Sequence, residues 1–246
     1  MALRNVVLTI AYDGSGYSGW QKQPGKKTIQ GELSEAVSSL FGRKVTPHGA
    51  SRTDAGVSAL GQRALIQIDS PIPTENLAKA ISDRLGAEIV VSKAEDVPMG
   101  FDVSGAVKSK LYRYTIFTGP VRPVLQVRHC WHLPSKLDVK AMDAAAKLLV
   151  GKKDFKSFAS AKDSRESSVR TIFNCDVTSE NEWIYVDVEG DGFLYNMVRN
   201  IVGTLTEVGA GRRQPERITE ILEARNRTAA GPIAPAEGLC LMWIKY

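Results

Sequence analysis

Cysteine is scarce and scattered. The three present, Cys130, Cys175 and Cys240, lie far apart, and no pair has CxxC spacing. A disulfide framework and a zinc ribbon are therefore not expected, and a reducing cytoplasm suits the pattern. Histidine also numbers three. His129 and His132 bracket Cys130 and Trp131, yet the further ligands a metal would need are not nearby, so structural roles are expected and no metal. No apolar run is long enough to cross a bilayer, so no membrane association is expected. The apolar N-terminal stretch Met1–Ile10 lacks the full architecture of a signal peptide. Walker A, HExxH and an ordered Ser–His–Asp set are all missing. So are internal repeats, low-complexity tracts and an obvious linker.

What is present is enough apolar material for a core, 43% of 246 residues. Lys and Arg outnumber Asp and Glu by 32 to 27, with a sequence pI near 9.1. That mild surplus favours an anionic partner without identifying one.

Strand and helix patterns mix without strict alternation. The expected class is α/β or α+β, with a mostly antiparallel sheet flanked by helices. Val6–Tyr12 reads as a strand that runs into a glycine-rich loop, Gly14 to Gly19, carrying Tyr17 and Trp20 and expected to be flexible. Its Gly-x-Gly-x-x-Gly spacing is a weak dinucleotide signal, because no helix pattern opens at the third glycine. Thr28 is placed to cap a helix with the stripe Ile29, Leu33, Val37, Leu40 and Phe41. Val45–Ala50 is an irregular or edge strand, given Pro47, and Gln62–Asp69 alternates as a strand. Thr74 is expected to cap a second helix ending at Gly86, followed by a strand over Ile89–Ser92. In the Lys108–Phe117 strand, Tyr112, Tyr114 and Ile116 share one face. Asp138 caps a third helix over Val139, Met142, Ala146 and Leu149. Strands over Thr171–Thr178 and Trp183–Glu189 flank a turn at Ser179–Glu182. Helices are expected over Phe193–Val208 and Pro215–Ala224, and Leu239–Tyr246 is strand-like. A break in pattern near residue 105 suggests subdomains 1–105 and 106–246.

Three residues are candidates for chemistry. Asp54 sits in Ser51-Arg52-Thr53-Asp54-Ala55-Gly56-Val57, a tight loop between apolar segments. A loop carboxylate is commonly a turn former or helix cap, but the nearby Arg52 is suited to keeping it ionised and aimed. Tyr112 is either a core tyrosine or a ring on which a base stacks. Lys108, Lys110 and Arg113 beside it would suit an RNA-facing strand, or be merely its wet face. Arg199 lies on the flank of the stripe Leu194, Met197, Val198, Ile201, Val202, Leu205 and Val208. A guanidinium there either pairs with a carboxylate or lays its stem on the core and its head in water.

Six blocks in order resemble the TruA family of tRNA pseudouridine synthases: Tyr12–Gln23, Arg52–Val57, Tyr112–Tyr114, Asp154–Phe158, Met197–Gly203 and Ala236–Leu239. The resemblance implies a two-domain cytoplasmic enzyme with a basic cleft, commonly a homodimer. Such an enzyme converts uridine to pseudouridine in the tRNA anticodon stem-loop, at positions 38, 39 and 40, without a cofactor. It places the catalytic aspartate at Asp54, the base-flipping arginine at Arg52, the active-site tyrosine at Tyr112 and the arginine that pairs with the aspartate at Arg199. Lys22, Lys26, Lys27, Lys108 and Lys110 would follow phosphates. Asp54 would attack the anomeric carbon or remove a neighbouring ribose proton, and both routes stay open. Ser51, Ser58 and Phe101–Ser104 depart from the family pattern, which usually has Gly, His and Phe-His-Ala-Arg there. Those departures keep two alternatives in view: a synthase of the same fold acting at other RNA positions, and a non-catalytic tRNA-binding or folding factor.

Overall fold

A computed structural model describes residues 3–246; Met1 and Ala2, which begin the apolar N-terminal run, lie outside the described residues. The chain forms two compact units, Met1–Lys108 with Leu241–Tyr246, and Ser109–Cys240. The first unit contains β1 (Arg4–Tyr12), α1 (Ile29–Phe41), β2 (His48–Gly49), β3 (Ser58–Ile68), α2 (Thr74–Ser82) and β4 (Ile89–Val97). The second contains β5 (Ser109–Phe117), β6 (Trp131–His132), α3 (Val139–Lys147), β7 (Gly151–Asp154), β8 (Val169–Glu180), β9 (Trp183–Gly190), α4 (Met197–Gly209) and α5 (Arg217–Ala224). The last strand, β10 (Leu239–Lys245), returns to the first unit from Leu241 onward.

In the first unit the sheet order is β4-β1-β3-β10, with β2 on β3. β1 pairs antiparallel with β3 and β4, and its Val6, Leu8 and Ile10 are fully buried. Ile29, Leu33 and Val37 of α1 and Leu77 and Ile81 of α2 are likewise without exposed surface. Each such side chain contributes about 1.5–3 kcal/mol of hydrophobic stabilisation. Thr28 caps α1, its Oγ1 accepting the Gly31 N–H at 3.2 Å, a contact typically worth about 1 kcal/mol.

In the second unit the order is β5-β9-β8-β7. These pairs are antiparallel, whereas the two-residue β6 runs parallel to β5. Tyr114 and Ile116 are fully buried, as the alternation of β5 requires. The apolar stripe is buried along its whole length, from Leu194 just before α4 to Val208 within it.

Several boundaries differ from the sequence reading. The fourth helix begins at Met197, not Phe193, because Asn196 adopts a left-handed backbone, φ 62°. Asparagine tolerates that conformation and stops the helix from extending backwards. Thr74 is the first residue of α2 rather than its cap; its hydroxyl accepts from Arg4 and donates to Asp96 instead. The β8–β9 turn shrinks to Asn181-Glu182, with Asn181 left-handed at φ 53°. Of Val45–Ala50 only His48–Gly49 pairs. α2 ends at Ser82 and α5 starts at Arg217.

One close approach fixes α4 in place. A segment from Ala230 to Pro235 lies along the helix, and a methyl group on Gly203 would fall 1.7 Å from the Pro232 carbonyl oxygen. The Gly231 N–H donates to Thr204 Oγ1 at 2.9 Å, and the Ala234 N–H to the Arg199 carbonyl at 3.1 Å. Gly203→Ala is expected to destabilise the protein by about 3 kcal/mol, since backbone must move to admit the methyl group. Urea unfolding will check this, and an unchanged midpoint would refute the assigned packing.

Candidate active site

The Asp54 loop is held by backbone and by buried polar side chains. The Trp20 N–H donates to the Thr53 carbonyl at 3.0 Å, and the Gly56 N–H to the Tyr17 carbonyl at 3.3 Å. Within the loop, the Val57 N–H donates to the Asp54 carbonyl at 3.1 Å. Beneath it, Tyr12 Oη and Thr53 Oγ1 share a hydrogen bond of 2.8 Å. Gln62, without exposed surface, donates to the Ser51 carbonyl at 2.7 Å and accepts the Ser51 N–H at 3.3 Å. Asp54 is half-buried and Arg52 is exposed.

The expectation of a flexible Gly14–Gly19 loop is corrected by this packing. Tyr17 and Trp20 are buried, at 6% and 2% exposure. A methyl group on Gly14 would fall 2.0 Å from the Val57 carbonyl oxygen. One on Gly19, whose φ is +89°, would fall 2.7 Å from the Thr53 carbonyl oxygen. The glycines serve close backbone approach, not motion. The sequence showed them, but spacing alone did not show what they touch.

The departures from the family pattern have local explanations. Ser58 accepts the Gly14 N–H at 3.1 Å and so joins the brace. Asp102 closes its own turn: the N–H groups of Gly105 and Ser104, with the Ser104 hydroxyl, hold its carboxyl below the ordinary range. The Val103 carbonyl just beyond accepts from the Tyr246 hydroxyl at 2.9 Å.

In the second unit Tyr112 is 7% exposed, and Phe193 meets it edge-on at 5.2 Å between ring centroids. Arg199, half-buried, is oriented by its Nε donating to the Ala234 carbonyl at 2.8 Å and its Nη1 to Asn196 Oδ1 at 3.1 Å. Asn196 thus both stops the helix and steers the guanidinium. The buried Asn200 ties α4 to its surroundings, donating to the Phe158 carbonyl at 2.7 Å and accepting from Arg227 at 2.9 Å. Helical periodicity gave no sign of either contact, because both partners lie far along the chain.

The basic residues divide into two kinds. Lys22, Lys26, Lys27 and Lys108 are exposed. Lys110 is half-buried, and burial, reinforced by the charge of Arg165, pulls its ammonium down to about 8. Arg113, which the sequence offered as an RNA-facing cation, makes a bidentate pair with Asp187 at 2.8 and 2.7 Å and stacks over Tyr185. Among the described residues, no three His, Cys, Asp or Glu side chains gather as a metal-binding group. His132 bonds the Gly119 carbonyl at 2.9 Å. Among the described residues, no helix is long and apolar enough to cross a membrane.

Comparison with known proteins adds independent findings. The sequence profile of a family described as tRNA pseudouridine synthase matches residues 8–104 and 145–246. A protein named tRNA pseudouridine synthase A from Caldicellulosiruptor bescii is 42% identical over 244 residues, 99% of this chain and 100% of that one. One of the same name from Moorella thermoacetica is 45% identical over 241 residues, 97% of this chain and 98% of that one. A solved Cbf5-Nop10-Gar1 complex shows a faint likeness, TM-score 0.33 at 11% identity, over 82% of this chain and 54% of that one. This chain therefore spans about half the length of that structure's matched chain, and the likeness is too slight to carry weight. On the strength of a profile that spans most of both units and relatives matched almost end to end, the chain belongs to the TruA family of tRNA pseudouridine synthases.

Proposed function

We propose that the protein isomerises uridine to pseudouridine in the anticodon stem-loop of tRNA, at positions 38, 39 and 40, with Asp54 as the reacting carboxylate. Full-length kinship to proteins named tRNA pseudouridine synthase A is the observation that carries this reading. The bond between ribose C1′ and uracil N1 breaks, and a bond from C1′ to uracil C5 forms. C5 loses a proton and N1 gains one, so the reaction is redox-neutral. A carboxylate acting at the sugar suffices to divide it into easier steps.

Roles follow from residue chemistry. Asp54 attacks C1′ or removes a ribose proton. A carboxylate withdrawn from water tends to protonate, and the family resemblance assigns to Arg199 the task of keeping it charged. Tyr112 stacks on the detached uracil. The target base must first leave its stack, at a cost of a few kcal/mol, and Arg52, on an exposed loop position, fills the vacated space. Exposed lysines, Lys22 and Lys108 among them, meet phosphates, and binding weakens with salt. A homodimer and a cytoplasmic location belong to the same reading; sedimentation of the purified protein checks the former. The self-closed turn at Asp102 favours one variation, a different set of target uridines, and pseudouridine sequencing of tRNA from a deletion strain distinguishes the two.

Two outcomes are expected. Asp54→Asn retains tRNA binding within about threefold and loses about a thousandfold or more in rate, measured by carbodiimide-stop primer extension. Appreciable turnover by that variant removes Asp54 from the chemistry, and complementation of a deletion strain by it would favour a non-catalytic folding factor. Gly19→Ala displaces the Thr53–Asp54 backbone and lowers kcat about tenfold to a hundredfold, with a smaller change in tRNA affinity. A normal kcat would show that the brace does not aim the carboxylate.

A further inference from the structure

Three cations of the second unit converge on one turn, Gly190 to Phe193. Lys110 lies directly across the β5–β9 pairing from Gly190. Arg170 runs past Gly192, its Nε 3.6 Å from where a side chain there would begin. Arg165 Nη1 donates to the Phe193 carbonyl at 2.6 Å. The Phe193 ring in turn meets Tyr112. Lys110 and Tyr112 are two apart on one strand, so both point to the same face about 7 Å from each other.

The cations are costly to gather. Burial and then Arg165 depress Lys110, and the same two causes in the same order depress Arg170. Two carboxylates belong to the cluster. Asp163 pairs with Arg165 at 3.3 Å and accepts the Tyr195 N–H at 2.6 Å; Asp191 accepts the Thr171 N–H at 3.0 Å. Both raise Arg170 without offsetting the depression. Two partly buried cations crowded by a third, exposed one favour a site that receives an anion.

We propose that Lys110, Arg165 and Arg170 form a subsite for one phosphodiester of the RNA, flanking the target uridine. The inference rests on the reading of Tyr112 as the ring on which the uracil stacks. A nucleotide stacked there carries its phosphate to these cations, so the subsite fixes the backbone while the base is free to turn.

The test uses the full chain carrying Asp54→Asn, so that no turnover intervenes, and an anticodon stem-loop RNA with a neutral methylphosphonate on either side of the target uridine. Lys110→Met and Arg165→Gln are each expected to weaken binding about five- to tenfold at 0.1 M salt and to flatten the log–log salt slope by about 0.7–0.9. At one of the two linkages, neutralisation costs the parent protein a similar factor and costs these variants nothing further. Lys110→Arg restores the parent affinity, and Arg165, an exposed side chain, can be changed without threatening the fold. Strictly additive losses at both linkages, or unchanged salt slopes, overturn the subsite. The protein with Asp54 intact is assayed alongside for pseudouridine. Product together with additive losses removes the subsite alone; absence of product removes the catalytic reading, whatever the binding cycle shows.

Discussion

The hydrogen bond from the Trp20 N–H to the Thr53 carbonyl is where two loops of the first unit become one rigid body. A backbone carbonyl in that crowded position must be satisfied, and no strand partner is available to it. Satisfying it brings the Gly19 Cα so near that any side chain would collide with residues 53–55. The ring of Trp20 is then buried beside Tyr12, 6.1 Å between centroids, and Tyr12 reaches Thr53 from below. The peptide units around Asp54 are thus held from above by backbone and from below by Tyr12 and Gln62. An individual bond of this kind contributes about 1 kcal/mol net. Their geometric effect is larger, because together they leave the loop a single arrangement.

The second unit solves the same problem by similar means. Arg199 does not depend on helix geometry alone. The Ala230–Pro235 segment contacts it twice, its Ala234 N–H meeting the Arg199 carbonyl and its Ala234 carbonyl meeting the guanidinium. That segment can lie so close only because residue 203 has no side chain. In both units a charged residue on or beside an irregular segment is aimed by main-chain contacts, which cannot swing away as side-chain partners can.

The sequence made the regular elements plain wherever periodicity and a cap agreed. Thr28 and Asp138 cap the helices expected of them, and β5 buries the expected face. Asp54, Tyr112 and Arg199 stood out as candidates for chemistry, with Arg199 on the flank of its stripe, and their roles are those proposed above. Long-range effects were not legible. Helical periodicity runs smoothly through Leu194, so nothing local signalled that Asn196 would turn left-handed. The Gly14–Gly19 spacing suggested mobility, because a glycine needed for close approach and one needed for motion look alike in a sequence. The return of the last strand to the first unit depends on contacts across the whole chain, which no local pattern encodes.

Charge offers the sharpest lesson about what composition omits. The net surplus of five implies a diffuse attraction to nucleic acid, but many cations are already committed. Arg4, Arg63 and Arg113 pair with Asp96, Glu95 and Asp187. Arg43 and Lys147 likewise have carboxylate partners. Such exposed or half-exposed pairs stabilise the fold by at most about 1 kcal/mol each, but they cancel the long-range field of the cations they hold. What remains to guide RNA is therefore set by position rather than by number. The lysines near Trp20 stand in water, where salt screens them. Lys110 does not: it is partly withdrawn from solvent, so its charge is screened less and acts more strongly on an anion brought beside it. On the function and subsite proposed above, such a distribution draws an anionic strand in through the exposed lysines and fixes its register at the crowded, partly buried cations.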